Sequence, residues 1–265
     1  YKERVLKSGE FHENEYGGNG YATGTPGIIG DKNSKPTAIM LGDSYARQYA
    51  YAADAYLKRR SESLITSFQD GCYFSSEYTT IISGKPNIWC KKDTLSYAIK
   101  KSHELGLPVI VSVHWVGYYS NVGKINGERI NFKTHDDYIS FVKKSIIELA
   151  QSVTPNKIVF IGSQPGMLGS LDINSCISRP DYLPLNCTNF LTTTIKKDDF
   201  EEKMNQGIIN ALKGVKNASY VDTFKYICSN GICGTMDDSG RFIYSDSAHL
   251  SKAGAIKIWP GLYDD

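Results

Sequence analysis

Apolar residues along this 265-residue chain recur with two different spacings. Five short runs are nearly continuous in apolar or β-branched residues: TAIML (37–41), SLITSF (63–68), PVIVSVHW (108–115), KIVFI (157–161) and SYVDTF (219–224). Runs of that length predict strands covered on both faces. The stretches between them carry a helical spacing. Ala46, Tyr49, Ala50, Ala53 and Leu57 form one stripe, and Leu95, Ala98, Ile99 and Leu105 a second. Tyr138, Phe141, Val142, Ile146 and Leu149 form a third, and Phe200, Met204, Ile208 and Leu212 a fourth. Gly106 suits the stop of the second helix, and Thr134 with Asp137 three residues later suits the start of the third. A last short helix is expected after YSDSAHLSKAGAIKIW. Strand–helix alternation repeated this often predicts an α/β fold, a five-stranded parallel sheet inside a three-layer αβα sandwich.

Two stretches lie outside this pattern. Residues 1–36, which include GGNGYATGTPGIIGDKNSKP, are rich in Gly, Asn and Pro. They read as an irregular linker or extension packing on a single domain of residues 37–265. The stretch from Gln164-Pro165-Gly166-Met167 to about residue 197 reads as one long loop at the rim of the sheet, and its part up to Cys187 as a candidate lining for an acceptor groove.

Composition narrows the class. The formal net charge of +2 gives no basic face for nucleic acid. Eighteen tyrosines are compatible with an amphipathic aromatic surface of the kind that contacts carbohydrate. No apolar run approaches the ~18 residues of a membrane span. The chain starts at Tyr1 without an initiator Met or signal peptide, and reads as a segment of a longer protein. Six cysteines fall into three neighbouring pairs: Cys72 with Cys90, Cys176 with Cys187, and Cys228 with Cys233. Six cysteines allow 15 pairings, and the nearest-neighbour set is expected because short loops close most readily. Three disulfides imply an oxidising compartment. The spacing matches no zinc or redox motif, and no acidic–histidine cluster suggests a metal.

The first strand leaves through Gly42-Asp43-Ser44 and enters a helix on the serine. Near the other end of the chain, Asp246 precedes His249 by three residues, just ahead of the last helix. A serine that takes an acyl group needs a base for its proton, and that base needs a carboxylate to fix its tautomer. Ser44, His249 and Asp246 supply the three parts. In a parallel sheet, both segments sit beyond the carboxyl ends of strands, where sites form.

GDS after the first strand and DxxH before the last helix resemble the SGNH (GDSL-type) hydrolase and acyltransferase superfamily, over roughly residues 37–259. GDSY, DGC after the second strand, a Trp at the end of the third and CSNGIC ahead of YSDSAHLSKAGA bring the chain closest to one group. These are the SGNH domains fused to the C-terminal side of bacterial acyltransferase-3 (AT3) membrane proteins, which O-acetylate surface polysaccharides such as lipopolysaccharide O-antigen.

The resemblance implies a flavodoxin-like SGNH fold and a periplasmic O-acetyltransferase domain of an inner-membrane protein. It implies an AT3 transmembrane domain on the N-terminal side and an O-antigen acceptor. No cofactor is expected to be bound; acetyl-CoA is the ultimate donor, through the membrane domain. The backbone N–H groups of Ser44 and Gly71 are the expected oxyanion donors. The family's usual Asn donor after the third strand is missing. Val113-His114-Trp115-Val116-Gly117 stands there, with the Trp115 indole as a candidate replacement and Asn121 as a weaker one. Asp43 is expected to hold the turn through backbone hydrogen bonds. His114 is expected to be a satisfied core histidine, and His12, His103 and His135 to be surface or loop residues. Two other functions fit the same residues: a secreted carbohydrate acetylesterase, and a glycan-binding module on an inactive hydrolase scaffold.

Overall fold

A computed structural model gives the architecture and describes residues 8–90, 92–165, 192–194 and 199–264. The chain opens with helix α1 (Ser8–Glu15) and strand β1 (Gly27–Gly30). Five further strands follow in the main sheet: β2 (Pro36–Gly42), β3 (Ser63–Phe68), β4 (Val109–Ser112), β5 (Ile158–Ile161) and β6 (Ala218–Val221). They lie in the order β1-β3-β2-β4-β5-β6. The last five are mutually parallel, and β1 runs antiparallel against β3. The fold is thus α/β with a central, mostly parallel sheet. The sixth strand comes from the lead-in expected to be irregular: Ile28 and Ile29 pair with Ile65 and Leu64.

The apolar runs become strands because both faces of the sheet are covered. Along β2, Ala38 and Met40 enter one core cluster, while Ile39 and Leu41 enter the other. Ala50–Arg59 (α2) and Lys252–Asp264 (α3) cover the first face. On the second face lie the helices at Lys92–Leu105, His135–Ser152 and Phe200–Leu212. The stripe expected from Ala46 to Leu57 is buried throughout, but it is split between a single turn at Ser44–Arg47 and α2. Leu105, expected to be a stripe residue, is 51% exposed. Thr134 and Asp137 form a complete capping box, a device worth about 1 kcal/mol.

Two small three-stranded sheets decorate the rim. One joins Tyr78–Ile82, Lys85–Pro86 and Val122–Lys124; the other joins Thr192–Thr194, Cys228–Ser229 and Ile232–Gly234. Each is tied by an expected disulfide, Cys72–Cys90 and Cys228–Cys233 respectively. The third expected pair, Cys176 with Cys187, lies outside the described residues, as does most of the loop expected to line a groove; of that loop Gln164, Pro165 and Thr192–Thr194 are described. No helix among the described residues is long and apolar enough to cross a membrane.

Candidate active site

The sheet order reverses direction at β2, which has β3 on one side and β4 on the other. Open α/β sheets present a crevice at such a switch point. Gly42 ends β2 in register with Ser112 of β4, and a Cβ there would lie 1.8 Å from the Ser112 carbonyl oxygen. The strands can close only over glycine. Asp43 follows, buried. Its Oδ1 accepts the Tyr45 N–H at 2.8 Å, and its Oδ2 accepts the His114 N–H at 3.0 Å and the Tyr118 hydroxyl at 2.6 Å. Asp43 therefore holds the turn, as expected, and also ties it to the segment after β4. Burial raises its pKa to about 6, against the opposing effect of these three hydrogen bonds.

Ser44 is presented at the first position of the helical turn. Its Oγ is 2.9 Å from His249 Nε2, and His249 Nδ1 is 2.9 Å from Asp246 Oδ2. The other carboxylate oxygen, Oδ1, accepts the backbone N–H groups of Ala248 and His249 at 2.8 and 2.6 Å. Burial alone would raise the Asp246 pKa. The hydrogen bond and charge of His249, with the two backbone donors, outweigh it and bring the value to about 2. An acceptor-only carboxylate fixes the hydrogen on His249 Nδ1 and leaves Nε2 to face the serine. A hydroxyl, an imidazole and a carboxylate in that series can support nucleophilic acyl chemistry. The two segments, 205 residues apart, meet as expected.

The loop that carries the histidine is braced from behind by buried amides. Gln48 Oε1 accepts the Leu250 N–H at 2.8 Å, its Nε2 donates to Gln164 Oε1 at 2.9 Å, and Gln164 donates to the Ala248 carbonyl. Gln164 was legible as a rim residue, whereas Gln48 lies among alanines on an apolar stripe and gives no signal of its own.

The backbone N–H groups of Ser44 and Gly71 have no acceptor among the described residues. Gly71 has φ +68°, in the region that favours glycine. Its carbonyl accepts Thr80 Oγ1 at 3.0 Å, and Cys72 beside it is disulfide-bonded to Cys90. Trp115 does not supply the missing donor. Its indole N–H is committed to the Ile161 carbonyl at 2.8 Å, and the ring is buried against Phe160. Asn121 belongs to the small sheet, where its carbonyl accepts the Ile81 N–H. His114 is held by stacking on Tyr45, with ring centroids 4.2 Å apart, and its ring nitrogens have no hydrogen-bond partner among the described residues. Burial, with the nearby His249, lowers its pKa to about 4, so it is neutral at pH 7. The Tyr45 ring also lies 5.2 Å from that of His249.

The lead-in departs furthest from expectation. His12 on α1, expected at the surface, stands beside the site: its Nδ1 is 3.1 Å from Ser245 Oγ and 3.3 Å from Asp246 Oδ2. The Tyr16 hydroxyl donates to the Ser44 carbonyl at 2.7 Å. His103 donates to or accepts nothing at the site, lying instead 2.9 Å from the Ser152 carbonyl, and His135 stacks on Phe200. No metal cluster was legible in the sequence, yet His12, Asp246 and His249 come close enough to share one ion. Asp246 Oδ2 already accepts the ring N–H of His249, a use that competes with metal ligation.

A family model described as "SGNH domain (fused to AT3 domains)" matches residues 11–262. No curated protein matches the chain in sequence. Among solved structures, the periplasmic domain of a Salmonella ser. Paratyphi A lipopolysaccharide acetyltransferase superposes with TM-score 0.58 at 15% identity, over 87% of this chain and 84% of that one. A Streptococcus pneumonia protein described as a platelet activating factor gives TM-score 0.46 at 11% identity, over 99% and 92% of the two chains.

Proposed function

Since the chain belongs to the family of SGNH domains that occur fused to AT3 domains, we propose that it is the catalytic domain of a periplasmic O-acetyltransferase acting on a cell-surface polysaccharide. The observation that carries this reading is the series Ser44 Oγ, His249 Nε2 and Nδ1, and Asp246 Oδ2, with 2.9 Å at each link. Ser44 Oγ attacks an acetyl carbonyl while His249 Nε2 takes its proton. The oxyanion forms toward the unpaired N–H groups of Ser44 and Gly71, where each donor is worth about 10²–10³ in turnover. His249 returns the proton to the departing group and leaves an acetyl ester on Ser44. A sugar hydroxyl then loses its proton to His249 and attacks the acetyl carbonyl; the bond to Ser44 Oγ breaks, and His249 returns the proton to that oxygen. Asp246 orients the imidazole and stabilises its cation.

The fusion to AT3 domains that marks the family supports a reading of donor, acceptor and location. An AT3 domain of the same protein passes acetyl from cytoplasmic acetyl-CoA, and the acceptor is a lipopolysaccharide O-antigen sugar. The acetyltransferase function of the Salmonella relative supports that choice. The alternative acetylesterase differs only in admitting water to the same acyl-enzyme. The whole protein, with and without Ser44→Ala, separates the two through acetate analysis of the polysaccharide. Less acetylation in the variant supports transfer, and more acetylation means removal. A reactive-serine probe that labels wild type but not Ser44→Ala disposes of the glycan-binding module.

A further inference from the structure

The lead-in is built into the site by several contacts that reinforce one another. Tyr16 forms an isolated bridge with Ser251, Gly17 N–H donates to the Leu250 carbonyl at 3.2 Å, and Tyr51 N–H donates to the Gly17 carbonyl at 2.9 Å. Arg47 lies over the Tyr16 ring, donates to the carbonyls of Gly18 and Tyr21, and pairs with Asp70. Gly17 allows this approach: a Cβ there would meet the Gln48 carbonyl oxygen at 2.0 Å. The anchored segment at Tyr16–Gly17 fixes the last turn of α1, and with it His12, which stacks on Tyr16 with ring centroids 5.3 Å apart.

The hydrogen on His12 can be assigned from its neighbours. Ser245 Oγ has one proton, and two carbonyl oxygens, of His249 and Leu250, lie within its reach at 3.2 and 3.4 Å. Carbonyls only accept, so the proton points to them and Oγ is free to accept from His12. Asp246 Oδ2 is likewise an acceptor. His12 Nδ1 therefore carries its hydrogen and donates it to Ser245 Oγ, with Asp246 Oδ2 3.3 Å from the same nitrogen. Burial lowers the His12 pKa more than the attraction of Asp246 raises it, so the ring reaches this arrangement as the neutral Nδ1–H tautomer.

From this geometry we infer that His12 is a positioning residue for the reaction, a second imidazole that holds the Asp246 carboxylate in the orientation His249 requires. The inference rests on the acyl-transfer reading of Ser44, His249 and Asp246. Oδ1 of Asp246 is fixed by its own loop, through Ala248 and His249. Among the described residues, Oδ2, the oxygen that meets the His249 ring, meets a side chain from outside its own loop only in His12 of the lead-in. The lead-in is thus a working part of the site and not a cover over it.

The test uses the 265-residue chain with p-nitrophenyl acetate as acetyl donor and water as acceptor. His12→Phe keeps a flat ring on Tyr16 but removes the donor. It is expected to lower kcat about tenfold, the size of one lost polar contact, with KM unchanged and an unaltered melting temperature. His12→Asn, whose amide nitrogen sits near the place of Nδ1, is expected to restore most of kcat. In an Asp246→Asn background, His12→Phe is expected to cost nothing further, because the group it positions is gone. Wild-type kcat in His12→Phe while Ser44→Ala is inactive overturns this inference alone. So do equal losses in His12→Phe and His12→Asn, or a loss that persists beside Asp246→Asn. Full turnover by Ser44→Ala overturns the acyl-transfer reading and this inference with it.

Discussion

The strand–helix body and the lead-in of residues 8–30 reach the same serine by opposite physical means. The body places Ser44 and His249 through burial: β2, α2 and α3 are pinned by apolar side chains with almost no exposure. The lead-in places His12 and Tyr16 through backbone hydrogen bonds, a cation over a ring and a glycine that lets two backbones touch. Helix α1 has only one fully buried large apolar side chain, Phe11, which meets Phe242 edge-on at 6.1 Å. A segment held this way has no apolar period to reveal it, yet it comes within 3.3 Å of the Asp246 carboxylate. Distance from the core in sequence is therefore a poor guide to distance from the chemistry.

Variants can sharpen or break that contrast. The body-borne groups should dominate activity. Ser44→Ala is expected to lower turnover of an acetyl ester by roughly 10⁴-fold or more and to abolish the acetylated chain seen by intact-protein mass spectrometry. Asp246→Asn is expected to cost roughly 10³–10⁴-fold in kcat through the wrong tautomer of His249; a loss below tenfold would mean that the carboxylate does not orient the ring. On the lead-in, Gly17→Ala forces this turn off the Gln48 carbonyl. It is expected to lower kcat about tenfold, as His12→Phe does, and to make the chain cleavable near residue 17, read by limited proteolysis. Intact protection with full activity would show that the close approach is dispensable.

Stability should divide differently from activity. Removing the Cys72–Cys90 crosslink, which spans 18 residues, with a double Cys→Ser change is expected to cost about 3 kcal/mol, read from denaturant unfolding. The smallest effect concerns acid. Asp246 is held at about 2, against an ordinary 3.8. A depressed carboxyl stabilises the fold above its unfolded pKa and loses that contribution as pH falls through its folded one. The stability difference between wild type and Asp246→Asn is expected to be constant above pH 5 and to shrink between about pH 4 and 2, measured by thermal melts. Asp43, whose pKa moves the other way, is common to both chains and cancels. A difference that widens toward pH 2 would contradict the assigned contacts.

How much was legible follows the same division. The five parallel strands, four helical stripes, two described disulfides and the meeting of Ser44 with Asp246 and His249 all have local signatures: apolar spacing, cap residues, short cysteine separations and a turn motif at a strand end. The sequence leaves Trp115 open between oxyanion donor and packed aromatic, because a Trp at a strand end looks the same whether its N–H faces the site or, as here, the Ile161 carbonyl. His12 and Gln48 were missed because their partners lie 233 and 202 residues away.

By itself, then, the order of residues determined the layers and the serine, histidine and carboxylate that the layers carry, since periodicity and turn chemistry act over a few neighbouring residues. Only the tertiary structure decided which side chains surround that carboxylate, because packing joins positions whose sequence separation leaves no pattern. In this protein it set an imidazole from a Gly- and Asn-rich lead-in 3.3 Å from Asp246.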